Sequence, residues 1–190
     1  MTDQLSSHPN AVEAYTVILL EYKRRYLLLQ RAPTKRLWPN AWTGIGGRVE
    51  AEEYQTLQQS ALRELREETG INASAITPLV LRRVLLHARP GMALTLLLYF
   101  TASLHDYQLP LCTEGTLAWI TPTNMDTLDI VDSTRPILPL LITAHERDPH
   151  GHEAVQLGVA TIQAGGAVET MAWVDSRPSG SISHAHPLSS

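Results

Sequence analysis

The chain has 190 residues, 44% of them hydrophobic and 18% charged, and a net charge of −4. That size and composition fit a globular domain with a core of its own, and the acidic balance argues against general affinity for a nucleic acid backbone. The longest apolar runs, such as Leu96 to Phe100 and its neighbours, are far too short for a membrane span, so no membrane partner is expected.

Residues 1 to 12 form a loose polar start, with neither the basic nor the apolar region of a signal peptide. Cys112 is the single cysteine, so no intrachain disulfide can form and a cytoplasmic location is expected. Ala14 to Glu21 is rich in β-branched and aliphatic residues and predicts a strand. Lys23-Arg24-Arg25 makes a basic turn, and Tyr26 to Arg31 returns as the second arm of a hairpin. Residues 32 to 40 carry Pro33 and Pro39 and predict a loop. Trp42 to Gly47 predicts a short strand.

The next stretch, Gly46 to Ile71, carries the strongest chemical signal. Thr56 and Gln59 read as a capping box, which predicts a helix from Leu57 to about Thr69 with Thr56 as its N-cap. Glu64, Glu67 and Glu68 then share one face, about a turn apart. Like charges this close repel in water, and a hard divalent cation with oxygen ligands turns the repulsion into binding. Ala61, Leu62 and Leu65 fall on the opposite, core-facing side. Arg63 stands four residues before Glu67, in position for an i,i+4 pair. Gly70 supplies a terminator where positive φ is wanted.

Further on, Pro78 to His87 and Met92 to Ala102 predict two strands joined by a turn at Pro90-Gly91. Gly115 to Ile120 predicts another strand. Ser133 to about Glu146 predicts a second helix, whose start Pro136 and Pro139 restrict. Ala154 to Gln163 and Ala167 to Val174 flank Gly165-Gly166 and predict a hairpin, which can serve as a subunit contact in a homodimer. From 176 to 190 the chain is polar and rich in Ser, Pro and His, and disorder is expected. His184 and His186 read there as part of a solvated tail. The order of strands and helices implies an α/β fold with a mixed sheet covered on both faces, and one domain is expected over residues 13 to 175.

The segment from Gly47 to Ile71 resembles the Nudix box, the signature of the Nudix hydrolases: G, five residues, E, seven residues, then R-E-U-x-E-E-x-G-U, with U bulky and aliphatic. Arg63, Glu64, Leu65, Glu67, Glu68, Gly70 and Ile71 match its second half, and Gly47 and Glu53 its first. Nine residues, not seven, separate Glu53 from Arg63. The two extra residues, Tyr54 and Gln55, fall before the helix, so the insertion puts the reach of Glu53 in doubt and leaves the three helical carboxylates undisturbed. The resemblance covers roughly residues 14 to 146 and implies the Nudix α/β/α sandwich.

It also implies a divalent-metal-dependent reaction in which water cleaves a nucleoside diphosphate linked to another group. Mg²⁺ is the expected cofactor, with Mn²⁺ as the alternative. By resemblance, Glu67 and Glu68 are metal ligands, with the Gly47 carbonyl as a backbone ligand. Glu64 serves as ligand or as the base that takes the proton of the attacking water, and Arg63 orients a box glutamate. Glu114, in the string Glu114-Gly115-Thr116-Leu117-Ala118-Trp119, is either a fourth carboxylate ligand or a turn residue.

The stretch from Trp42 to Glu50, preceded by Gln30-Arg31, is similar to the branch that includes the 8-oxo-dGTP diphosphatases. That likeness makes Thr43 and Asp132 candidates for contact with a base, although Asp132 also reads as a helix-start acid. Arg31 reaches phosphate or merely ends a strand. Trp38 and Trp42 stack on a base or fill core. The expected substrate is a small nucleotide, a nucleoside triphosphate of the 8-oxo-dGTP kind, cleaved to nucleoside monophosphate and pyrophosphate. Two alternatives stay open: hydrolysis of another nucleoside diphosphate derivative, such as ADP-ribose or a dinucleotide, and a non-catalytic nucleotide-binding module.

Overall fold

In a computed structural model, residues 12–88, 93–107, 112, 114–163 and 168–174 are described. The first strand, β1 (Val12–Tyr22), runs antiparallel to β2 (Arg25–Arg31). The turn between them has Lys23 at φ 47° and Arg24 at φ 60°, the two left-handed residues that a tight two-residue hairpin requires. β1 is longer than its sequence pattern predicts and already includes Val12. Its other edge pairs parallel with β5 (Leu94–Ser103), which pairs antiparallel with β4 (Val80–Ala88). β6 (Gly115–Ile120) lies antiparallel to β2.

The short strand β3 (Trp42–Thr43) corrects the expectation of a strand from Trp42 to Gly47. Only two residues pair with β2, and the chain then crosses to β1. There Ile45 exchanges hydrogen bonds with Ile18, and Thr16 N–H donates to the Gly47 carbonyl at 2.9 Å. Gly46 makes the crossing possible: its φ is 145°, and a Cβ there would sit 2.1 Å from the Thr16 carbonyl oxygen.

Val17 to Leu20 are all buried, the pattern of a strand covered on both faces. Ile18, Leu20, Leu27 and Leu29 join Ala61 and Leu65 of the first helix, α1 (Leu57–Thr69), in one apolar cluster. Val17, Leu19, Tyr26 and Leu28 join Leu138 and Leu141 of the last helix in another. The two helices therefore cover opposite faces of the sheet, as an α/β/α sandwich demands. Complete burial of Leu65 alone is worth about 1.5–3 kcal/mol.

The predicted α1 forms over Leu57–Thr69, and Gly70 ends it at φ 71° with its N–H on the Arg66 carbonyl. The expected capping box does not form. Thr56 occupies the N-cap, but its side chain makes no cap bond; its hydroxyl turns back to donate to the Glu53 carbonyl at 3.4 Å. A 3-10 turn over Ala51–Glu53, directly before the helix, puts that carbonyl within reach. A four-residue helix, α2 (Pro122–Met125), precedes the last helix, α3 (Leu138–Arg147). α3 starts five residues later than Ser133, because turns anchored by Thr134 carry the chain past Pro136.

The predicted C-terminal hairpin is present as β7 (Gln156–Ile162), parallel to β4, and β8 (Val168–Trp173), antiparallel to β7. Its two glycines, the turn at Pro90-Gly91, the N-terminal segment before Val12 and the histidine-bearing tail lie outside the described residues. Among those described, no helix is long and apolar enough to cross a membrane.

Candidate active site

α1 carries Arg63 and the three glutamates, and the glycine segment Gly44–Gly47 runs past them along β1. Arg63 is a hub. Its Nε and Nη2 hold both Glu53 carboxylate oxygens at 2.7 and 2.9 Å, and its Nη1 reaches Glu64 at 2.7 Å and Glu67 at 2.9 Å. Nη2 also donates to the Arg48 carbonyl at 3.1 Å. Glu53, standing before the helix, thus folds onto Arg63 in a two-point ion pair. That pairing holds the Glu53 carboxyl well down, at about 2, and raises the guanidinium pKa further above its ordinary value.

Glu68 has a different environment. It is 7% exposed and accepts a hydrogen bond from Gly46 N–H at 2.9 Å. Burial pushes its pKa up to about 7. The Gly46 N–H lowers it, Glu64 and Glu114 raise it, and Lys35 lowers it. Burial also raises Glu64, against the pull of Arg63. Gly47 closes the arrangement, because a Cβ there would lie 2.6 Å from the Glu64 carboxylate. Its carbonyl points at β1, where it accepts from Thr16 N–H at 2.9 Å and, over a longer 3.5 Å, from the Thr16 hydroxyl, so another ligand there would have to displace that hydroxyl.

Glu114 sits at the start of β6 and pairs with Lys35 Nζ at 2.5 Å, and its charge is felt by Glu68. Lys35, from the loop after β2, was not singled out in the sequence, where it is one basic residue in a proline-bearing loop. Among the described residues, no three His, Cys, Asp or Glu side chains are gathered as for a metal ion; Glu53, Glu64 and Glu67 are each paired with Arg63. The donor set still suits a hard cation in kind: carboxylate oxygens, a backbone carbonyl, and a buried Glu68 whose charge has no arginine or lysine in contact.

A cleft of about 340 Å³ opens on the other side of the glycine segment. Arg31, Thr43, Gly46 and Gly47 line it, so two of the three predicted substrate residues meet there. Arg31 Nε donates to the Leu37 carbonyl at 3.1 Å, which ties the following loop down and brings Trp38 into the lining. Trp42 instead packs against the core under α3. Asp132 is not among the lining residues: Val131, Ser133 and Thr134 line the cleft, while Asp132 is exposed. Buried Val131 and Thr134, and Tyr99 donating to the Ser133 carbonyl at 2.9 Å, fix the turn that way. Tyr15 of β1 and the cross-strand pair His87 and Thr95 complete the wall and were missed. Their shared strand face is the only sign of them in the sequence.

A family model described as the NUDIX domain matches residues 11–141. The chain belongs to the Nudix hydrolase family. A mutator MutT protein from Bacillus halodurans has a similar structure, with a TM-score of 0.66 at 20% identity over 87% of this chain and 99% of that one. The Escherichia coli dihydroneopterin triphosphate pyrophosphohydrolase aligns with a TM-score of 0.55 at 26% identity, over 72% of this chain and 96% of that one. An m7GpppN-mRNA hydrolase, NUDT17 of Danio rerio, is 45% identical over 58 residues, which is 30% of this chain and 19% of that protein. The chain therefore spans about a fifth of the length of this curated relative. Members of the Nudix family act on small nucleotide substrates and generally use divalent metals.

Proposed function

We propose that this Nudix pyrophosphohydrolase cleaves a nucleoside triphosphate, of the 8-oxo-dGTP kind, to the nucleoside monophosphate and pyrophosphate. One observation carries the reading. Gly46 and Gly47 line the cleft, and on their other side the Gly46 N–H donates to Glu68 and the space a Gly47 Cβ would need is taken by the Glu64 carboxylate. A base lying against Trp38, Leu37 and Val131 would send its phosphates toward the glycines.

In this reading Glu67, Glu68, Glu114 and the Gly47 carbonyl hold Mg²⁺, or Mn²⁺ in its place. The cation, when bound, neutralises the pyrophosphate charge and polarises the attacked phosphorus. Glu64, raised by burial, takes the proton of the attacking water. With Glu53 as its two-point counter-ion, Arg63 would leave Glu67 available as a ligand of the cation. Arg31 contacts a phosphate oxygen with donors other than Nε, and Thr43 lies beside the base. The protein is expected in the cytoplasm.

A second reading is supported by the local match to the m7GpppN-mRNA hydrolase: a cap-like dinucleotide whose methylated purine occupies the same cleft. A hydrolysis screen with purified protein and Mg²⁺ tests both. It covers ordinary and oxidised nucleoside triphosphates, ADP-ribose and m7GpppG, with pyrophosphate and phosphate read separately. Pyrophosphate release peaking on one triphosphate supports the first reading, and turnover of m7GpppG alone the second. Binding without turnover anywhere would replace both with a non-catalytic module.

A further inference from the structure

On the α3 face of the sheet, away from α1, a cavity of about 300 Å³ is lined by Arg82, Arg83 and Arg147 against one carboxylate, Glu153. Two consecutive arginines of one strand ordinarily face opposite ways. Here the register of β4 against β5 slips between Leu81 and Arg83, and the bulge turns both to the same side. Arg82 donates to Thr101 Oγ1 at 2.9 Å and to Asp148. Arg83 lies over the Trp173 ring at 4.5 Å, and Trp173 packs against the cluster under α3.

The three guanidiniums are not equally satisfied. Arg82 is neutralised by Asp148, 3.2 Å away. Arg147 is held by both oxygens of Glu153, at 2.6 and 2.5 Å. Arg83 has a half-buried side chain whose Nε is buried without a hydrogen-bond partner. Burial and the charge of Arg147 both lower its pKa, with Glu153 opposing them. A buried donor without an acceptor is expensive, and a stacked ring supplies no acceptor atom. Gln156 stands beside it as a neutral donor in the same lining.

We infer that this cavity is a second anion site, which binds a phosphate-bearing ligand through Arg83 and Arg147 on the sheet face opposite the carboxylate helix. The guanidinium fork suits phosphate oxygens, and the volume admits pyrophosphate. Arg82 enters the lining already neutralised by Asp148 behind it.

The test is calorimetric titration of the full chain, with divalent metal removed by EDTA, against inorganic phosphate, pyrophosphate and a nucleoside triphosphate. Removing the metal keeps pyrophosphate off the carboxylate side. The wild type is expected to bind pyrophosphate at one site. Arg83→Gln should weaken that binding at least about tenfold, Arg83→Lys should recover part of it, and Arg31→Gln should leave it unchanged. Hydrolysis by Arg83→Gln should persist at the wild-type rate. Equal affinity for pyrophosphate and triphosphate means that the site reads phosphate alone; tighter triphosphate binding that still depends on Arg83 means a nucleotide ligand. Should Arg83→Gln not fold, Arg147→Gln at the exposed rim gives the same test through a several-fold loss. No metal-independent binding by the wild type, binding lost in Arg31→Gln and kept in Arg83→Gln, or binding unchanged in Arg147→Gln overturns the inference.

Discussion

On the α1 face of the sheet, Glu53, Glu64 and Glu67 share Arg63, and Glu68 is buried beside them, accepting from the Gly46 N–H. On the α3 face, Arg82 meets Asp148, and the Asp148 carboxylate also accepts from the backbone N–H groups of Gly151 and Glu153. Close by, the His145 ring lies between Thr101 and Ser103. Both clusters take ionisable groups out of water. The second has a matched charge and hydrogen bonds on every side, which makes it structure. The first has a surplus of negative charge, and folding alone gives no reason to hold it. A surplus that burial penalises is what a cation-dependent site needs before its cation arrives.

The largest expected effect breaks the comparison at its chemical end. Glu67→Gln removes one charge from an exposed side chain, so stability should change little while Mg²⁺-dependent turnover falls by on the order of 10²–10⁴-fold. Steady-state rates on the best substrate of the screen check this, with a melting curve as the control for folding. An active Glu67→Gln protein would sink the assignment of the carboxylates. The mirror-image change is Arg82→Met on the other face. It strands a buried carboxylate, which should lower Tm by roughly 10 °C and leave kcat near wild type. A small Tm change would mean that Asp148 is well served by backbone donors alone.

The balanced cluster should also show itself by pH. Burial lowers the pKa of His145 from its ordinary value, with the nearby carboxylates of Glu21 and Glu146 opposing and Arg82 assisting. The unfolded chain then binds a proton more readily than the native one. The contribution of a neutral His145 is therefore present above the unfolded pKa of about 6.5 and is lost as pH falls below it. Urea midpoints at pH 7.5 and 5.5 should differ in the wild type and converge in His145→Gln. An unchanged gap in the variant would place the acid sensitivity elsewhere. Asp148, held down to about 2 chiefly by the Glu153 N–H, adds a second loss of stability only below about pH 4.

The two clusters were not equally legible in the sequence. Glu64, Glu67 and Glu68 lie within five residues, so helical spacing makes them neighbours on α1, and Gly70 marks the end of that helix; the expected separation from the core-facing side fails at Glu68, which is buried with Ala61 and Leu65 while Glu67 stays exposed. The strands of the sandwich were legible for the same local reason, through runs such as Val17 to Leu20. Arg82 and Asp148 are 66 residues apart and meet only because β4 and the end of α3 pack together. The cleft wall of Tyr15, His87 and Thr95 is equally non-local, built from three strands whose pairing order no spacing encodes. Thr56 failed as a cap for a subtler reason: the turn over Ala51–Glu53 offered its hydroxyl another partner.

The smallest effect sharpens what balance means. Arg147 and Glu153 form a two-point pair with better distances than Arg82 and Asp148, 2.6 and 2.5 Å against 3.2 Å. Distance alone would rank it the stronger. Yet the two side chains are 62% and 42% exposed, where those of Arg82 and Asp148 are 4% and 9% exposed. Water already solvates both partners of the outer pair and screens their attraction. Glu153→Gln should therefore shift Tm by no more than about 2 °C, and the backbone N–H of residue 153 still serves Asp148 in the variant. A loss as large as that of Arg82→Met would mean that the outer pair anchors the loop after α3, and that exposure is the wrong guide to which ion pairs hold this fold.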